Sequence, residues 1–61
     1  MKFNTEDVVR ILRGFRHPFI GEYINQIYKC SVKGWISSHE LKEIIGEFLL
    51  EEIKKEVVNN K

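Results

Sequence analysis

Five aliphatic residues, Leu41, Ile45, Leu49, Ile53 and Val57, recur at every fourth position along the last third of this chain. That period keeps them on one side of an α-helix, so the segment is predicted to be helical and needs a surface to cover it. Its start is equally well marked. Ser37 and Glu40 have the spacing of a capping box, and Ile36 and Leu41 flank the cap as a hydrophobic staple. Ile44, Phe48, Leu50 and Val58 widen the stripe beyond what one neighbouring helix covers. Run unbroken to Val58, the helix would be about 30 Å long, roughly twice either helix before it. Two solutions are open for its distal half. Gly46 bends the chain so that residues 48–58 fold back as a fourth helix, or a second copy of the protein covers them.

Two shorter helices are predicted upstream. Asn4 is a good N-cap, Glu6 and Asp7 place negative charge in the first turn, and Phe3 can staple onto Val8. This helix should run from Thr5 to Arg13, with Val8, Val9, Ile11 and Leu12 as its apolar face and Gly14 as its breaker. Pro18 suits a first helical position, so the second helix should cover residues 18–29. Ile20, Tyr23, Ile24, Ile27 and Tyr28 are spaced to share one buried face, although Gly21 weakens the first turn. Asn59, Asn60 and Lys61 read as a frayed end. No internal repeat or low-complexity tract is evident. The expected fold is all-α: residues 1–61 form one small bundle of three helices, or four if Gly46 bends, with a long C-terminal helix.

With 61 residues, such a chain buries only about 60% of the surface it exposes when unfolded. Small scaffolds of this size are often stapled, yet the single Cys30 cannot form an internal disulfide. It is read as a small half-buried side chain in a reducing compartment. Residues 1–7 bring acid where a secretory leader would be apolar, and the longest apolar run, residues 48–50, is far short of the roughly 20 residues that span a bilayer. The protein is therefore expected in the cytoplasm, away from membranes. Charge is unevenly spread. Residues 1–36 hold six lysines and arginines against three acids, while residues 37–61 hold four lysines against six glutamates.

Counting Lys29 as the first position of a twelve-residue loop puts Gly34 sixth, Ile36 eighth, Ser37 ninth and Glu40 twelfth, with Leu41, Ile44, Ile45 and Phe48 on the exit helix. Residues 24–48 thus resemble a degenerate EF-hand helix-loop-helix. The resemblance implies a sharp turn at Gly34, an eighth residue that pairs with a sister loop, and Val32, Trp35 or Ile36 in a short extended segment. It does not imply calcium. Acidic side chains belong at the first, third and fifth positions of such a loop, and here those are Lys29, Ser31 and Lys33. A solitary loop also lacks its sister, which points to a homodimer or a partner protein.

Few residues carry chemistry. Arg10, Arg13 and His17 would share one face of an extended first helix, with Arg16 close by, so that Arg10, Arg13, Arg16 and Lys33 form a candidate nucleic-acid site. The connection of residues 30–36 is too long for a helix-turn-helix. His17, Cys30 and His39 lack zinc-like spacing, and no nucleophile stands beside an evident base. Neither a metal, a cofactor nor an enzymatic activity is expected. The acids of the last helix read as a solvated face with a Glu51–Lys55 pair. Phe15 and Phe19 read as plugs beneath their own loop, and Trp35 as a plug or an anchor. The expected function is that of a small protein-binding regulator, adaptor or inhibitor. Its partner-binding residues would be Trp35, Phe48, Leu50, Ile53 and Val57, engaging a target or a second copy.

Overall fold

The structure, a computed structural model, describes residues 1–31 and 33–59. A short strand, β1 (Lys2–Asn4), leads directly into helix α1 (Thr5–Arg13). Helix α2 (Ile20–Cys30) follows, then strand β2 (Trp35–Ser37), which leads directly into helix α3 (Ser38–Asn59). The strands pair antiparallel, with Phe3 opposite Ile36. An all-α fold is thereby corrected to a predominantly helical one tied together at one end by a two-stranded sheet. The reason lies in the caps. The residue before a capped helix is typically extended, as Asn4 is with φ −70° and ψ 127°, and two such stubs side by side satisfy each other's backbone groups. Period-two alternation then turns Phe3 and Ile36 into the core, where both are buried. Val32, expected near this extended segment, lies outside the described residues, as do Asn60 and Lys61 of the expected frayed end.

The first helix has the expected limits, and its cap forms as expected, with the Asp7 N–H donating to Asn4 Oδ1 at 3.1 Å. Helix α2 begins two residues later than expected. His17 Nδ1 accepts from the Phe19 N–H at 3.2 Å and the His17 carbonyl accepts from the Ile20 N–H at 3.3 Å, so Pro18 and Phe19 are held in a turn. On α2 only Ile27 is fully buried; Tyr28 is exposed, and its hydroxyl donates to a Glu6 carboxylate oxygen at 3.3 Å. Cys30, expected half-buried, is exposed.

Gly46 settles the fate of the long helix. Its φ of 88° and ψ of 166° break α3 into a first arm (38–45) and a second arm (47–59). Only glycine adopts this region at low cost. A straight helix of 22 residues would be about 33 Å long, whereas the longest extent of the whole fold is 26 Å. The bend brings Leu49, Leu50 and Ile53 of the second arm into one core with Val8, Leu12, Leu41 and Ile45. The surface area, 4368 Å², is close to the roughly 4,200 Å² expected of a folded monomer of this mass. The distal half is thus covered by its own chain.

The two strand-helix units correspond at the strand, the cap and one buried pair. The shift that carries Phe3 to Ile36 carries Asn4 to Ser37, Asp7 to Glu40 and Thr5 to Ser38. Each unit makes the same bonds. Ser37 Oγ accepts from the Glu40 N–H at 3.2 Å as Asn4 does from Asp7, and Thr5 N–H donates to the Gly34 carbonyl as Ser38 N–H does to that of Met1. The buried pair Val8 and Leu12 maps onto the buried pair Leu41 and Ile45. A local two-fold therefore relates the units, a structural repeat where no sequence repeat was evident. Asn4→Ala and Ser37→Ala should each cost about 1 kcal/mol. Urea unfolding of both variants should give similar losses, and a loss confined to one would contradict the equivalence of the two caps.

Candidate functional site

Both α1 and the first arm of α3 start at the sheet and run away from it, so their far ends meet at the opposite pole. There Phe15, Arg16 and His17 of the α1–α2 connection face Phe48, Leu49 and Glu52 of the second arm across a cleft of about 320 Å³. Phe15 and Phe48 are 33 positions apart, as are the matching residues of the two units, but the backbones part just before them, at helical Arg13 and at Gly46 with its φ of 88°. Their exposures differ: Phe15 is half-buried against the core, while Phe48 is 76% exposed, the most exposed of the large apolar residues described. The aromatic surface continues past the cleft. The His17 ring lies 5.8 Å from Phe19 and 5.3 Å from Tyr23, centroid to centroid. Phe19, expected as a plug, is instead 52% exposed.

The expected partner-binding residues are dispersed by the bend. Leu50 and Ile53 are buried in the core and Val57 packs against it, so these three hold the second arm to its own chain. Phe48 alone of the five lies at the far pole. Trp35 sits at the sheet end opposite Asn4, with Lys2 Nζ 4.4 Å from its ring centroid. On the second arm Leu50 and Ile53 lie about 200° and about 140° around the helix from Phe48, so the face that meets the core leaves Phe48 outside.

The basic residues are dispersed as well. Arg10 is paired with Asp7 at 3.0 Å. Lys33, with φ 62°, adjoins Gly34, whose carbonyl bonds the N–H of Thr5. Lys33 is therefore at the start of α1, about 12 Å along the axis from Arg13 at its end. Helix α1 stops at Arg13, so His17 does not extend its face. Only Arg13 and Arg16 remain near each other, both exposed and both without an ion pair among the described residues.

On the acidic helix, Glu51 pairs with Lys54 at 3.3 Å and Glu52 with Lys55 at 3.5 Å, in place of the expected Glu51–Lys55 pair. His39 is exposed and lies 3.7 Å from Glu43. A larger open trough of about 430 Å³ between α2 and the first arm is lined mainly by polar groups, among them Glu22, Gln26, Lys29 and Glu43. Among the described residues no three of His, Cys, Asp and Glu gather where a metal ion could be held, and no helix is long and apolar enough to cross a membrane. The sequence signals that could have found the far-pole site are Phe15 and Phe48 themselves, each one or two residues beyond a glycine that ends a helical segment. No protein-family model, curated protein or solved structure matches the chain.

Proposed function

We propose that this chain is a small non-enzymatic protein-binding regulator, adaptor or inhibitor of the cytoplasm, and that its recognition surface is the aromatic far pole centred on Phe48. The observation that carries this is the exposure of Phe48 at a cleft that Phe15 and His17 also line. A large aromatic side chain at 76% exposure gains most by entering a protein pocket, where aromatic anchors supply much of the binding energy. The occupant is a protein surface with an apolar centre, acids to meet Arg13 and Arg16, and bases to meet Glu47 and Glu52. The resemblance of residues 24–48 to an EF-hand stripped of its calcium ligands belongs to the same proposal. Ile36 paired with Phe3, and Gly34 at φ 84°, support that resemblance.

A photo-crosslinking benzoylphenylalanine at position 48 tests the surface. In soluble extract at physiological salt it should give a discrete protein adduct that excess wild-type protein suppresses and excess Phe48→Ser protein does not. The same probe at exposed Lys29, near the sheet end, should give none. Equal adducts from both positions, or indifference to the competitor, would contradict the assignment. The alternative is a nucleic-acid accessory role through Arg13 and Arg16. It would show as amide shifts at residues 10–17 on adding a mixed-sequence duplex, reversed by moderate salt.

A further inference from the structure

The far pole has an apolar centre and a rim of two signs. Phe15 and Phe48 line the cleft from its two sides, and the charges around them are opposite in sign. On one flank Arg13 and Arg16 are exposed and without an ion pair among the described residues; on the other are exposed Glu47 and half-buried Glu52, the latter 3.5 Å from Lys55 of its own helix. Arg16 and Glu52 both line the cleft, one on each flank, and do not pair with each other. A face that is apolar in the middle, positive on one side and negative on the other is complementary to itself. A two-fold axis lying in the plane of contact, between the flanks, sets the positive side of one copy against the negative side of the other.

We infer that the occupant of this face is a second copy of the same chain. Phe48 of each protomer enters the cleft of its partner, and Arg16 of each meets Glu52 of the other. This rests on the assignment of the recognition surface to the Phe48 pole. It differs from a dimer through an unfolded-back helix, because each protomer keeps its own second arm on its own core. A standard interface of about 800 Å² per partner would take nearly a fifth of the 4368 Å² surface. A pole of this size suits a dimer weaker than that class, with Kd on the order of 10–100 μM.

Sedimentation equilibrium from about 5 μM to 1 mM, bracketing that range, tests the inference. The wild-type mass should rise from 7.3 kDa towards twice that value. Arg16→Glu sets acid against Glu52, and Glu52→Lys sets base against Arg16; each should weaken association at least about ten-fold. An equimolar mixture of the two variants restores both cross-contacts and should recover the dimer. Wild-type protein that stays monomeric throughout, or a mixture that associates no better than either variant alone, would overturn the inference. Should either variant fail to fold, dilution of nitrogen-15 wild type decides: amides of residues 15–17 and 48–52 should shift with concentration, and their constancy would overturn it. A monomeric wild type with a competitor-sensitive adduct at position 48 would sink self-association and leave the protein-binding surface standing. A dimer unaffected by Phe48→Ser would sink the surface itself.

Discussion

Ile53→Glu should unfold the chain. Ile53 is fully buried among the side chains that join the second arm to α1 and the first arm. Truncation of such a residue to alanine costs about 2–5 kcal/mol, and a glutamate adds the cost of a buried charge with no partner. A domain of this length has only about 3–9 kcal/mol in hand. Far-ultraviolet circular dichroism and amide dispersion should show a largely unfolded protein at 25 °C. Phe48→Glu, at a far more exposed position, should retain the wild-type spectrum and melting temperature within a few degrees. A folded Ile53→Glu monomer would mean that Ile53 faces solvent and that the second arm does not lie where described.

Gly46→Ala should have the second-largest effect, and the cause is backbone conformation, not space. A Cβ at Gly46 would meet nothing within 4 Å, but φ is 88° and ψ 166°. Holding alanine there costs about 1–3 kcal/mol, enough to lower the melting temperature of a domain this small by roughly 5–20 °C. Gly21→Ala is the control. Gly21 is an exposed helical residue, also with open space at its Cβ position, and its replacement should stabilise by about 0.5–1 kcal/mol. The opposite signs separate strain from packing. If Gly46→Ala relieves its strain by straightening, the second arm leaves the core and Leu49, Leu50 and Ile53 need another copy to cover them. An elongated, arm-exchanged dimer would then appear, distinct in shape from the far-pole dimer. Equal behaviour of the two glycine variants would contradict the bend.

The helices were legible because their signals are local. Asn4 with Asp7, and Ser37 with Glu40, announce helix starts within four residues, and the four-residue stripe from Leu41 to Ile53 identifies core residues whether or not the helix is straight. The sheet was not legible. Its strands are three residues each, too short for alternation to register, and the pairing joins segments far apart in the chain. The repeat was hidden for a related reason: Phe3-Asn4 and Ile36-Ser37 do the same physical work with different side chains. Gly46 was recognisable as a place to bend, but nothing local fixes which way a glycine turns. Without that turn, nothing in the sequence says whether the second arm is covered by its own chain or by another. With it, Leu50 and Ile53 meet the core and Phe48 alone of the three is left outside.

Residual dipolar couplings of the backbone amides, measured in a weakly aligning medium, test the fold-back at Gly46 most directly and do not depend on oligomeric state. Residues 39–45 and 48–58 should each give a helical wave of couplings, with different means and phases, because the two arms point along different axes, and Gly46 should belong to neither. A single unbroken wave from residue 39 to 58 would show one straight helix. It would contradict the shared core of the two arms and the exposed Phe48 pole that depends on it.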